Sequence, residues 1–201
     1  MNRKTRRIAL YFLILSISCW FFPATAWAHT SGGIVGGFLS GFKHPISGLD
    51  HVVAMVAVGL WGAVLEGSAM WLLPVIFPMV MAFGGALGVM GVPLPGIEIG
   101  IALSGIALGC MVAFTIKPPL WVAGVLVGAF AIFHGYAHGT ELPSAANALT
   151  FSVGFVLSTG LLHLSGIALG LLYRRSWGRY VVRVTGGVIV LIGCGFLFQI
   201  F

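Results

Sequence analysis

The sequence contains few charged residues. Lys, Arg, Asp and Glu make up 7% of its 201 residues, whereas soluble proteins contain about a quarter. Only four residues are acidic, and hydrophobic residues account for 59% of the chain. Such a composition does not suit a surface that faces water, and long apolar stretches recur along the whole chain. The sequence therefore predicts an all-α, polytopic membrane helix bundle that is surrounded by the lipid bilayer.

Cysteine is also scarce. The chain has three cysteines, Cys19, Cys110 and Cys194, and no pair has the CxxC spacing. Cys110 and Cys194 lie inside apolar stretches, where a thiol behaves as a small hydrophobic group. The sequence also has no Walker A motif, which is the glycine-rich pattern ending in lysine that binds nucleotide phosphates. These absences argue against a thiolate metal site and against an ATPase motif.

Positive charge is concentrated at the N-terminus. Four of the ten Lys and Arg residues fall within the first seven residues, followed by an apolar run over 8–22, Pro23 and Ala26-Trp27-Ala28. This pattern predicts a cleaved signal peptide over 1–28 and a transmembrane domain over 29–201; the alternative is an uncleaved membrane anchor. The remainder has six basic and four acidic residues and no basic patch for nucleic acid. His29, the new N-terminus, either chelates a metal with its amine and imidazole or merely follows the cleavage site.

Six membrane helices are predicted after the signal peptide, because six apolar segments are each close to the ~20 residues that cross a bilayer. Gly, Pro and charged residues separate them. Before them, the Gly-rich outer segment 29–43 is too short to span and is predicted to be re-entrant or interfacial. The predicted spans are Leu49–Leu65, Met70–Met90, Ile97–Ile116, Leu120–His138, Ala146–Tyr173 and Tyr180–Ile200.

The orientation follows from two independent features. A cleaved signal peptide places the mature N-terminus outside, and six crossings then return the C-terminus to that side. The loops with Lys117 and with Arg174, Arg175 and Arg179 then lie inside, as the positive-inside rule requires. The sequence predicts an inner-membrane protein with both mature termini in the periplasm.

The first polar cluster is HPISGLDH (44–51), at the outer start of the first span. Polar residues inside a membrane are costly, so they are candidates for function. Pro45 disfavours helix at His44, and Gly48 permits a bend that brings His44 toward Asp50 and His51. In the alternative interpretation, Asp50 is a helix N-terminal residue and His44 is an interfacial residue.

The second polar cluster is FHGYAHGTE (133–141), at the outer end of the fourth span. His134 and His138 are four residues apart and share a helix face, a spacing that suits two imidazoles on one metal ion. Glu141 extends this stripe if the helix continues past Gly139. Since both clusters fall on the outer side, the sequence predicts that they form one divalent metal site with His and carboxylate ligands. Such ligands suit Ni²⁺, Co²⁺ and Zn²⁺ without separating them.

Two further residues are weaker candidates for metal binding. Met55 lies one turn beyond His51 on the same face. His163 lies deep in the fifth span, where it is either an ion or proton relay or a residue hydrogen-bonded to a neighbouring helix.

These two clusters resemble the HupE/UreJ family of bacterial nickel/cobalt permeases. The resemblance lies in HPISGLDHVVAMVAVGLWGA (44–63) and FHGYAHGTELP (133–143), with the patterns HPxxGxDHxxAM and FHGxAHGxExP. The signal-like start and the six predicted spans also match the family, so the resemblance covers essentially the whole chain. The resemblance implies a transporter domain over 29–201 that imports nickel or cobalt. His44, Asp50 and His51 match the first motif, and His134, His138 and Glu141 match the second.

The predicted function is therefore a secondary permease, not an enzyme, with a transported divalent ion and no cofactor. The alternative is a zinc-dependent integral-membrane hydrolase that uses the same His and Asp residues to activate water. A haem-binding bundle with axial histidines is a third hypothesis. Whether the chain forms a homo-oligomer stays open.

Overall fold

A computed structural model describes residues 34–141 and 148–200 of the chain. These residues form helices and short turns, with no β-strand among them. Seven α-helices occur in the described ranges: α1 Ile34–Ser47, α2 Leu49–Leu65, α3 Ala69–Val89, α4 Ile97–Ala113, α5 Leu120–Thr140, α6 Ala148–Gly170 and α7 Ser176–Leu197. A 3₁₀ turn, Leu171–Arg174, joins α6 to α7.

The predicted membrane helix bundle is confirmed, with four to five candidate spans. Helices α3, α5, α6 and α7 are long and apolar enough to cross a membrane, and α1 with α2 would add a bent fifth span. Helix α4 has 17 residues, about 25 Å at 1.5 Å per residue. All six predicted helices are present, but the crossing by α4, and with it the count of six, stays a prediction. The predicted signal peptide and His29 lie outside the described residues.

Helix α1 differs from the expectation for its segment. The prediction that Pro45 keeps His44 out of a helix is wrong, because both residues lie inside α1. The chain bends instead at Gly48, which has extended backbone angles (φ −100°, ψ 118°), and α1 and α2 meet at 81°. Proline removes one helical hydrogen bond, but the packing of α1 against α6 offsets that loss. Residues 34–43 of the Gly-rich segment belong to α1 and therefore pack against the bundle.

Glycine allows the helices to pack closely in pairs. Helix α3 packs along α5, α4 along α7, and both α1 and α2 along α6. A methyl group at Gly135 would overlap the carbonyl oxygen of Met81, and one at Gly166 would overlap that of Val56. Small residues give membrane helices this close backbone contact, which provides packing energy where lipid removes the hydrophobic driving force.

The loops predicted to be cytoplasmic meet at one end of the bundle. Nζ of Lys117 lies 3.9 Å from Oε2 of Glu66 and 5.4 Å from the ring centroid of Tyr173. The indole N–H of Trp61 donates a hydrogen bond to the carbonyl of Ile116 at 3.0 Å. The two polar clusters lie at the opposite end of α2 and α5, so the basic loops and the histidines occupy different ends.

Candidate metal site

The two polar clusters meet where the bend between α1 and α2 faces the end of α5. The ring centroids of His51 and His138 are 4.2 Å apart, and those of His51 and His134 are 5.3 Å apart. The rings of His44 and His138 are 4.8 Å apart. Four histidines from two distant stretches of chain therefore form one cluster.

A carboxylate orients the His51 ring. The Nδ1–H of His51 donates a hydrogen bond to Oδ1 of Asp50 at 2.9 Å. This leaves the lone pair on Nε2, and that atom is buried without a hydrogen-bond partner in the described part of the chain. A ligating histidine usually has this arrangement, with its other ring nitrogen bonded to a carboxylate or a carbonyl.

A backbone carbonyl orients His134 in the same way. Its Nδ1–H donates to the carbonyl oxygen of Phe130 at 3.0 Å, because that carbonyl lies one turn earlier on α5. His134 is fully buried, and its Nε2 has no hydrogen-bond partner within 34–141 and 148–200; the same is true of Nε2 in His138. The structure thus buries three unpaired imidazole nitrogens at one end of the bundle.

A second set of candidate ligands lies further out and also includes His138. Nε2 of His44 lies 2.9 Å from Nδ1 of His138 and 3.6 Å from Oε2 of Glu141. One ligand atom from each of these three residues lies within 4.8 Å of the others. Helix α5 ends at Thr140, with Glu141 as its C-cap, so the helix persists far enough to place the carboxylate beside His44. The Glu141 side chain is 60% exposed, which puts this set at the rim.

Aromatic rings surround the imidazoles. Phe155 lies edge-on to His138 with centroids 4.7 Å apart, and Phe151 lies 5.6 Å from His44. The candidate site therefore combines imidazole nitrogens, two carboxylates and an apolar wall. Nitrogen and oxygen ligands suit borderline divalent ions, and the carboxylates compensate their charge.

Two of the weaker candidates lie apart from this cluster. Met55 is fully buried in the hydrophobic core, one turn below His51, and nothing in the described residues links its sulfur to the imidazoles. His163 is 2% exposed and lies deeper in the bundle, with its ring against Phe77.

Sequence reasoning missed three buried residues near His163. Phe77 contacts His163 and also His134, with centroids 5.6 Å and 5.5 Å apart. Ser158 and Thr159 are fully buried, and their hydroxyl oxygens have no partner within the described ranges. The two hydroxyls could have been found, since adjacent polar residues in an apolar helix are functional candidates. Phe77 could not have been found in this way, because a phenylalanine in an apolar helix is an ordinary packing residue.

Comparison with known proteins points to one family. The model of the HupE / UreJ protein family matches residues 17–196. Protein HupE of Rhizobium leguminosarum bv. viciae is 47% identical over 175 residues, which cover 87% of this chain and 91% of that protein. No solved structure matches the chain. The matched range contains both histidine clusters.

Proposed function

Because the chain belongs to the HupE/UreJ family, we propose that it imports nickel or cobalt ions across the bacterial inner membrane. The ion enters from the periplasm and is captured by His44, Asp50, His51, His134, His138 and Glu141. The chain acts as a secondary permease, with the ion as its cargo.

The observation that carries this proposal is the set of buried Nε2 atoms on His51, His134 and His138, which have no hydrogen-bond partner among the described residues. A buried polar atom without a partner costs roughly 1–3 kcal/mol, so a protein that holds three of them together needs a ligand to offset the cost. A divalent ion bound by neutral imidazoles, with Asp50 behind His51, offsets it. Zn²⁺ fits the same ligands, and the choice of metal is left to experiment.

The driving force needs no nucleotide. Moving one elementary charge across an inside-negative membrane gains about 2.3 kcal/mol per 100 mV, so a divalent ion gains about 4.6 kcal/mol. That free energy corresponds to roughly three decades of concentration. A facilitated path from the outer site to the cytoplasm is therefore sufficient for accumulation.

The proposed orientation places the histidine end in the periplasm. The opposite end holds Lys117, Arg174 and Arg175, and short cytoplasmic loops are rich in such residues. Both mature termini are periplasmic in this arrangement. The ion then meets the rim set of His44, His138 and Glu141 before it reaches the deeper nitrogens of His51 and His134.

Metal uptake by cells tests the proposal. Cells that express the parent chain should accumulate Ni²⁺ or Co²⁺ above the vector control, with Zn²⁺ measured in parallel. The His51→Ala/His134→Ala double variant, at equal membrane abundance, should return to the control level. Equal accumulation by the variant and the parent would remove these residues from the site.

The same preparations separate a permease from the hydrolase alternative. A transport site releases its ion, whereas a catalytic zinc site retains it. Metal analysis of the purified parent should find less than stoichiometric zinc after dialysis against a mild chelator. One tightly held zinc per chain would favour the hydrolase.

A further inference from the structure

We infer that His163 and Thr159 of α6 form a second, inner ion site, which receives the metal from the outer histidines. Phe77 of α3 separates this inner site from the outer one. The inference rests on the proposed function, because it assigns the next position to the same ion.

The inner site consists of polar atoms that the fold leaves unpaired. His163 is 2% exposed and Thr159 is fully buried. Neither ring nitrogen of His163, nor the hydroxyl of Thr159, has a hydrogen-bond partner in the described residues. Thr159 precedes His163 by four residues on α6, so the two side chains share a helix face. Together they offer an imidazole nitrogen and a hydroxyl oxygen, both of which bind borderline divalent ions.

The depth of the inner site follows from the packing of α2 on α6. A methyl group at Gly59 would overlap the carbonyl oxygen of His163, so the backbones of Gly59 and His163 lie at the same level. Gly59 is eight residues beyond His51 along α2, which corresponds to about 12 Å. Another seven residues lead to Glu66 at the opposite end. His163 thus lies near the middle of the bundle, on the way from one end to the other.

One aromatic ring lies between the two levels. The fully buried Phe77 contacts His134 of the outer cluster, with ring centroids 5.5 Å apart and an interplanar angle of 62°. It also contacts His163, at 5.6 Å and 84°. An ion that leaves Nε2 of His134 for the interior therefore reaches His163 by passing this single ring.

Helix α3 is weakened on both sides of that ring. Pro74 and Pro78 lie inside α3 and flank Phe77. Each lacks the N–H that would bond the carbonyl four residues earlier, so α3 has fewer hydrogen bonds to break there than a regular helix. This local weakness suits a ring that must move when an ion passes.

Structural packing alone does not account for His163. A histidine kept only for packing normally satisfies at least one ring nitrogen, because buried polar groups are hydrogen-bonded in the great majority of cases. Here both nitrogens and a hydroxyl one turn away are unpaired in an apolar bundle. An ion that visits the site would take one imidazole nitrogen of His163 and the hydroxyl oxygen of Thr159 as ligands while it is bound.

The test separates ion capture from ion passage. Full-length parent and His163→Gln protein are purified in detergent for equilibrium Ni²⁺ binding, and reconstituted into liposomes for Ni²⁺ uptake under an inside-negative diffusion potential. We expect His163→Gln to keep the outer-site Kd within about threefold of the parent while its uptake rate falls by about tenfold or more. Thr159→Val, which keeps the side-chain shape, should also slow uptake at unchanged Kd.

The matched control is Ser165→Ala on the same helix, whose exposed hydroxyl bonds the carbonyl of Leu162 at 2.7 Å. It should match the parent in both assays, and size-exclusion profiles should coincide for all proteins. Unchanged uptake by folded His163→Gln, or a loss of outer-site affinity in that variant, would overturn the inner site. If the parent protein neither binds Ni²⁺ nor takes it up, the proposed function itself fails. The measurements on the parent show this before any variant is compared.

Discussion

His51 and His134 lie edge to face with their ring centroids 5.3 Å apart, although α3 and α4 separate their helices in the chain. The Nδ1–H of His51 donates a hydrogen bond to Asp50, and the Nδ1–H of His134 donates one to the carbonyl oxygen of Phe130. The Nε2 atom of each ring is buried and has no hydrogen-bond partner in the part of the chain that the structure describes. This relationship predicts that the two residues act on one ion.

A double-mutant cycle on His51 and His134 tests that prediction. Each single alanine variant should raise the Ni²⁺ Kd by about tenfold or more. The double variant should raise the Kd by less than the product of the two single effects, because residues that bind one ion are coupled. Isothermal titration of the purified proteins in detergent measures all four values. Fully additive effects would assign the two histidines to separate ions.

Asp50→Asn should weaken metal binding, because Oδ1 of Asp50 accepts the hydrogen bond from Nδ1 of His51. The asparagine keeps the shape but loses the charge that orients His51, and such supporting partners are worth about 10–100-fold in metal affinity. The measurement is the Ni²⁺ Kd at pH 7.5. Glu66→Gln, which removes a carboxylate at the opposite end of α2, is the control and should leave the Kd unchanged. Equal Kd values for Asp50→Asn and the parent would show that the carboxylate is only a helix N-terminal residue.

Gly166→Ala should destabilise the protein, because the added methyl group would overlap the carbonyl oxygen of Val56 on α2. Overpacking of this kind costs about 1–3 kcal/mol. Thermal unfolding in detergent reports the change. Gly160→Ala on the same helix meets nothing within 4 Å and should be neutral or slightly stabilising, since alanine favours helix by up to ~1 kcal/mol over glycine. Identical unfolding temperatures for the two variants would argue against close packing of α2 on α6.

Thiol labelling tests the proposed orientation. In a chain whose native cysteines are replaced, Glu141→Cys should react with a membrane-impermeant maleimide added to intact spheroplasts. Lys117→Cys should react only after the membrane is opened, because it lies at the opposite end with Glu66. The reverse pattern would invert the topology and place the histidine site in the cytoplasm.

Apolar periodicity and helix breakers predicted most of the fold. The predicted span Leu49–Leu65 coincides with α2, and the start of α4 at Ile97 and that of α5 at Leu120 were also predicted. Helix α1 was missed because Pro45 and the glycines argue locally against a helix, whereas contacts with α6 stabilise it. Local sequence does not contain those contacts.

The candidate site was predictable in its residues and less so in its geometry. Spacing alone put His134 and His138 on one face, and topology put them on the same side as His51. The division into a rim set and a deeper set could not be predicted, because it depends on the direction in which α1 leaves Gly48. The contacts of Phe77 with two histidines on different helices also arise only from tertiary packing.

The 81° bend at Gly48 divides the first motif into two arms, one on α1 and one on α2. His44 approaches His138 from the α1 arm and His51 approaches it from the α2 arm. Both arms pack along α6, and a methyl group at Gly41 of α1 would overlap the carbonyl oxygen of Phe151. One extended residue thus lets two segments that rest on the same helix approach one imidazole from two directions.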